Sequence, residues 1–147
     1  MAVSKEEMTT TLIILSIVFS ILSGFSKAIC DLSEEGKLFM FDKDLNLFFW
    51  RKSYSWKNKW KLSENREPII ENGKYVERFW GSSRWFVSFT DAWHLFGLIE
   101  RVGFIVTYVS IGILIMYSNW YWLMLLNYPL FALIFHLFYN SKILRKW

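Results

Sequence analysis

Apolar residues in this chain fall into three unbroken blocks. Residues 8–29, 102–118 and 120–139 contain a single charged side chain, Lys27, and nearly all other charges lie outside them. Blocks of that length match a bilayer hydrocarbon layer of about 30 Å. The pattern predicts an all-α membrane protein with three transmembrane helices: a single span at 8–29, then a helical hairpin with spans at 102–118 and 120–139. The residues before the first span read Ser4-Lys5-Glu6-Glu7, unlike the basic start of a secretory leader, and the bulky Ile29 makes a poor cleavage site. The first span is therefore expected to be retained.

Within that span Ser16, Ser20 and Gly24 recur every fourth residue and share one helix face. Small residues at this spacing let helix backbones approach closely in lipid. Only Ser118-Asn119-Trp120 separates the second span from the third, and the flanking Tyr117, Tyr121 and Trp122 mark a turn in the headgroup region. Pro129 should kink the third helix, and Asn127 and His136 inside it are expected to make interhelical hydrogen bonds.

Charge sets the direction. Lys5 is the one cation on the N-terminal side, whereas sixteen Lys and Arg residues lie on the other side of the spans. The positive-inside rule then places the N-terminus outside, and the central segment and the basic tail at 140–147 in the cytoplasm. The formal net charge of +4 is accounted for by this asymmetry.

The segment at 32–83 is rich in aromatic and basic residues. Trp50-Arg51-Lys52, Trp56-Lys57 and Lys59-Trp60-Lys61 interleave rings with cations, and no acid occurs from 51 to 63. Nucleic-acid binding uses similar residues, but flanking spans tether this segment to the bilayer. Anionic lipid is the expected contact, and no nucleic acid is expected. The apolar residues from Phe39 to Phe49 predict short interfacial helices. Pro68-Ile69-Ile70-Glu71-Asn72-Gly73-Lys74-Tyr75-Val76 reads as a small β-hairpin with Asn-Gly in a type I′ turn. Beyond it, Arg84, Ser88, Asp91 and His94 cluster on one side at helical spacing. They predict an amphipathic interfacial helix over 84–100 that turns or continues into the second span, with Gly97 or Gly103 at any bend.

Candidate chemistry centres on Asp91 and His94, three residues apart and able to share a proton or a divalent metal ion. Asp31, at the same end of the first span, is a candidate third ligand. The competing reading is an Asp–His pair that closes a polar contact between helix and loop. Ser82, Ser83 and Arg84 could hold a phosphate or headgroup at a helix N-terminus, or the serines could simply cap that helix. The lone Cys30 excludes an internal disulfide and any multi-cysteine metal site, and its interfacial position would permit acylation. No cofactor is expected on the first reading.

Phe49-Trp50, Ser55-Trp56-Lys57-Asn58-Lys59-Trp60, Phe79-Trp80-Gly81-Ser82-Ser83 and Thr90-Asp91-Ala92-Trp93-His94-Leu95-Phe96 resemble a group of small uncharacterised bacterial integral membrane proteins. The resemblance implies a bacterial cytoplasmic membrane and carries over no functional residue. The expected function is a non-catalytic membrane module that packs with itself or with other membrane subunits and contacts anionic lipid. The alternative is an interfacial enzyme acting on a lipid or isoprenoid-like substrate through Asp31, Asp91 and His94.

Overall fold

Ser4 starts the first helix with a reciprocal cap. Its hydroxyl accepts the Glu7 backbone N–H at 3.1 Å, and its own N–H donates to the Glu7 carboxylate at 2.9 Å. A computed structural model describes residues 4–38, 47–118, 121–141 and 144. In it, helix α1 runs through Lys5–Glu34, longer than a bilayer core requires. Its end is a left-handed Gly36 (φ 68°), where the Lys37 N–H reaches the Leu32 carbonyl at 2.8 Å and the Gly36 N–H reaches Ser33 at 3.3 Å. A Cβ at Gly36 would meet nothing within 4 Å. Gly36→Ala should therefore cost only the conformational penalty of about 1 kcal/mol, read as a small fall in thermal unfolding temperature in detergent.

Two further long helices follow, α4 at Ala92–Ser118 and α5 at Trp122–Tyr139. All three are long and apolar enough to cross a membrane, which makes this a multi-pass membrane protein. The spans contain the expected blocks almost residue for residue, although α1 and α4 extend well past them. α4 and α5 are consecutive, yet each packs chiefly against α1. The stripe of small residues explains why. Ser16, Ser20 and Gly24 are buried. The Thr107 hydroxyl of α4 reaches the Ser16 carbonyl at 3.4 Å, and Ser20 bonds the Asn127 side chain of α5. A Cβ on Gly24 would stand 2.9 Å from the Phe131 carbonyl. The close-packing face is thus used inside one chain, and the interhelical bond expected for Asn127 is present.

His136 differs from expectation. Its side chain is exposed and makes no hydrogen bond among the described residues, and the ring meets Phe135 edge-on. Its position on α5 turns it away from α1. The helix itself passes through Pro129 without interruption.

Between the spans the chain is only lightly structured. Short helices α2 (Leu47–Trp50) and α3 (Lys52–Ser55) lead to a 3-10 turn at Lys57–Lys59. The hairpin forms as read, β1 at Ile70–Glu71 and β2 at Lys74–Tyr75, with Ile70 opposite Tyr75 and Asn72-Gly73 at positive φ. Such a ribbon is marginal alone. Here residues 59–62 lie along it: the Lys61 N–H donates to the Val76 carbonyl and its carbonyl accepts from Ile69, at 2.8 and 2.9 Å. Trp60 stacks on Tyr75 at 5.2 Å. At this end of the bundle Ile29, Leu32, Leu38 and Leu144 form a buried core against Trp50 and Phe96. Residues 39–46 of the interfacial helices expected from Phe39 to Phe49, the turn residues Asn119 and Trp120, and the tail cations Lys142, Arg145 and Lys146 lie outside the described residues.

The amphipathic helix expected over 84–100 is not there. Residues 84–91 are turns with a 3-10 segment at Val87–Phe89, and helix begins only at Ala92. Asp91 supplies the physical reason: its carboxylate accepts the His94 backbone N–H at 3.0 Å and so occupies the capping position. On the upstream side the Gly81 carbonyl accepts from the N–H groups of Arg84, Trp85 and Phe86, which closes a compact loop instead of a helical turn. The apparent polar face of Arg84, Ser88, Asp91 and His94 therefore never forms. From Ala92 onward the helix continues straight into the second span.

Candidate membrane-interface site

Two features meet where α1 ends and α4 begins. The first is a cavity between those helices. On α1 its wall is Lys27, Cys30, Asp31 and Glu34, and on α4 it is Trp93, His94, Gly97, Leu98, Glu100 and Arg101. The α1 set follows the i, i+3, i+4, i+7 spacing of a single helix face, and the α4 set covers a broader one. Val87 and Ser88 close one side, and the enclosed volume is about 220 Å³.

Asp91 lies directly behind this cavity with 0% of its surface exposed. Besides capping α4, its Oδ2 accepts from His94 Nδ1 at 2.7 Å and stands 3.0 Å from the Thr90 hydroxyl. With Asp91 ionised and the ring neutral, Nδ1 donates to the carboxylate and Nε2 is left as the ring's acceptor. His94 itself lines the cavity. The pair anticipated from sequence is thus real, and it serves the helix–loop junction at the same time.

Asp31 does not complete a ligand set. It lines the same cavity, but its carboxylate is paired with Lys27 four residues earlier. Among the described residues no group of three His, Cys, Asp or Glu side chains is placed to hold a metal ion. Cys30 is 5% exposed, with Sγ 3.5 Å from the Trp93 carbonyl, so its thiol is inaccessible to an acyl donor. Glu34 is paired with Lys52, whose ammonium also lies 4.5 Å from the Trp93 ring. Glu100 also borders the cavity, and among the described residues its carboxylate has neither a hydrogen bond nor an ion pair.

The second feature is the loop that leads into α4. Trp80 and Trp85 are 79% and 78% exposed, and Phe86 and Phe89 stand out beside them. With Trp60, Lys74, Tyr75 and Arg84 these tryptophans border an open cavity of about 590 Å³. Lys74 and Arg84 make no ion pair among the described residues. No family model, curated protein or solved structure matches the chain. The site has to be read from its own geometry.

That geometry revises the phosphate site expected at Ser82, Ser83 and Arg84. No helix starts there, so no row of free helix amides exists. The Gly81 and Ser83 N–H groups donate instead to the Glu77 carboxylate, at 2.9 and 3.3 Å, and the Ser83 hydroxyl binds it too. The Ser83 hydroxyl, with the Gly81 amide next, holds the Glu77 carboxyl below the usual carboxylate range. Ser82 is buried and donates to the Lys59 carbonyl at 2.7 Å, and neither serine caps α4. Arg84 alone of the three remains exposed.

The aromatic and basic residues at 50–61 divide in two. Trp50 packs into the core and its carbonyl accepts from Ser33, while Arg51 is half-buried beside it. Lys52 and Lys57 are paired with Glu34 and Glu67, and Trp60 is stacked on Tyr75. Trp56 remains exposed, and Lys59 and Lys61 make no ion pair among the described residues. Sequence reasoning missed the more exposed set, Trp80, Trp85, Phe86 and Phe89. The available signal was the stretch between Gly81 and the capping Asp91, too short and too aromatic to bury itself.

Proposed function

We propose that this chain is a non-catalytic integral membrane module whose aromatic and basic face contacts anionic lipid, and which packs with copies of itself or with other membrane subunits. The observation that carries the reading is the loop before α4. Two tryptophans more than three-quarters exposed stand next to Lys74 and Arg84, which make no ion pair among the described residues, immediately before a helix apolar enough to enter the bilayer. Indole rings favour the headgroup boundary, and lysine and arginine there gain from anionic surface charge. The direction favoured by the cation asymmetry puts this face in the cytoplasm, and a bacterial cytoplasmic membrane rich in anionic lipid suits it. For assembly, the support is α5, most of whose surface has no partner within one chain.

The test is quenching of tryptophan fluorescence by brominated acyl chains in nanodiscs, with and without anionic lipid. Trp80→Phe combined with Trp85→Phe should remove a disproportionate share of the quenched signal, and Lys74→Glu with Arg84→Glu should remove its dependence on anionic lipid. If a water-soluble quencher reaches Trp80 and Trp85 freely while brominated chains do not, the reading is wrong.

One observation favours the enzymatic alternative: His94, oriented by a buried carboxylate, borders a cavity. Of its three residues, Asp31 is committed to Lys27. Lipid-directed turnover lost in His94→Ala, in protein that still folds, would move the conclusion to that reading.

A further inference from the structure

The cavity between α1 and α4 has a charge pattern of its own. Two of its carboxylates are neutralised from within, Asp31 by Lys27 and Glu34 by Lys52. What remains facing the space is one unpaired carboxylate, Glu100, the Arg101 guanidinium beside it in sequence, and the free Nε2 edge of His94. Ionisable groups on a membrane-spanning helix are expensive to keep and are held where they have a partner. Among the described residues no cation stands within ion-pair distance of the Glu100 carboxylate, and Lys27, already paired with Asp31, and Arg101 act on it only from farther away. A ligand that carries both signs would complete this wall: a cation for Glu100, and an anion for Arg101.

We propose that this cavity binds an ammonium tethered to a phosphodiester, the chemistry of an aminophospholipid headgroup. The ammonium pairs with Glu100, and the phosphate oxygens take charge-assisted hydrogen bonds from Arg101. The His94 ring, fixed by its Asp91 contact, forms another part of the wall. Glu100 and Arg101 present opposite charges side by side on this wall, so a simple anion or a simple cation would meet one favourable and one unfavourable group. The cavity lies where the apolar stretches of α1 and α4 give way to charged residues, and its approximately 220 Å³ suits a headgroup without its acyl chains. The inference is independent of lipid contact by the aromatic loop, which involves different residues and favours the opposite lipid class.

Gly97 supplies a direct way to test it. It lies on the cavity wall, and a Cβ built there meets nothing within 4 Å, so a larger side chain would enter the open space. Full-length protein would be placed in nanodiscs containing equal amounts of phosphatidylethanolamine and phosphatidylglycerol, and the retained lipid identified by native mass spectrometry. Wild-type protein should retain phosphatidylethanolamine in preference to phosphatidylglycerol. Glu100→Gln should weaken that preference about tenfold, the effect of losing one charge-assisted bond. Gly97→Leu should release phosphatidylethanolamine while leaving helical circular dichroism and monodispersity intact. Trp80→Phe with Trp85→Phe should change neither result.

Glycerophosphoethanolamine added to the wild type separates the two sources of this chemistry. Displacement of the lipid by it assigns the site to the soluble compound as well, and retention of the lipid against it assigns the site to the lipid; both sustain the aminophosphate assignment. Equal retention of the two lipids by the wild type overturns it, as does unaltered phosphatidylethanolamine retention in a folded Gly97→Leu variant. Should Glu100→Gln fail to fold, those two comparisons still decide the matter.

Discussion

Gly103→Leu is expected to separate α1 from α4 and to cause a large loss of stability in the membrane-spanning region. A Cβ at this position would stand 2.1 Å from Ser23 Oγ and 3.0 Å from the Phe19 carbonyl. The serine can rotate, but its hydroxyl already donates to the Phe19 carbonyl at 2.8 Å, with the Glu100 backbone carbonyl as a second acceptor at 3.2 Å. The carbonyl belongs to α1 and moves only with the helix. Overpacking of this kind costs about 3 kcal/mol, and in lipid no hydrophobic drive between helices offsets it. Gly112→Ala is the matched control on the same helix, because its Cβ would meet nothing within 4 Å. It should shift stability by less than about 1 kcal/mol in either direction. Unfolding titrations with sodium dodecyl sulfate from mixed micelles measure both. If the two variants unfolded together, the close approach of α1 and α4 at Gly103 would be wrong.

Asp91→Ala is expected to be the most damaging change at the interface. It removes the cap of α4, the partner of the His94 ring and a neighbour of Thr90 together, at a site with no access to water. Losing a buried acceptor that serves several donors costs about 3 kcal/mol. Asp91→Asn should cost less, since its carbonyl oxygen can still cap the His94 amide while its NH2 group can no longer accept from the ring. Thermal unfolding in nanodiscs ranks the variants, and the expected order is wild type, Asp91→Asn, Asp91→Ala. Equal stability of Asp91→Ala and wild type would leave the buried carboxylate without the role assigned to it.

Much of the architecture was legible because a bilayer leaves few choices. Uncharged runs of about twenty residues have to be helices, since any other backbone would strand its polar groups in hydrocarbon. The small-residue stripe at Ser16, Ser20 and Gly24 and the Asn72-Gly73 turn were equally direct, one by close approach and the other by positive φ. The exposed and paired states of the cations were not legible. Lys57 and Lys59 look alike in sequence, yet one meets Glu67, ten residues away, and the other has no ion pair among the described residues. His136 is a similar case, since an unbroken apolar helix does not reveal which of its faces meets a neighbour.

The Asp91–His94 region shows where local pattern misleads. Helical spacing over 84–100 is present in the sequence, but a capping carboxylate in its middle outweighs periodicity. A fully buried Asp that accepts an N–H of the following turn ends a helix in the backward direction whatever lies upstream. Asp91 and His94 were visible as a pair because they are three residues apart.

By itself, then, the order of residues determined the three apolar helices, the β-hairpin turn and the imbalance of charge, because each follows from local composition and from the cost of burying backbone in lipid. Only the tertiary structure decided that α4 and α5 both pack on α1, that Glu77 fills the turn expected to hold phosphate, and that Lys27 and Lys52 neutralise two acids and leave Glu100 facing a cavity. The helix packing and the Lys52–Glu34 pair join residues far apart in the chain, which a one-dimensional pattern does not bring together. The Lys27–Asp31 pair and the Glu77 turn are instead local contacts, chosen among competing neighbours by the fold around them.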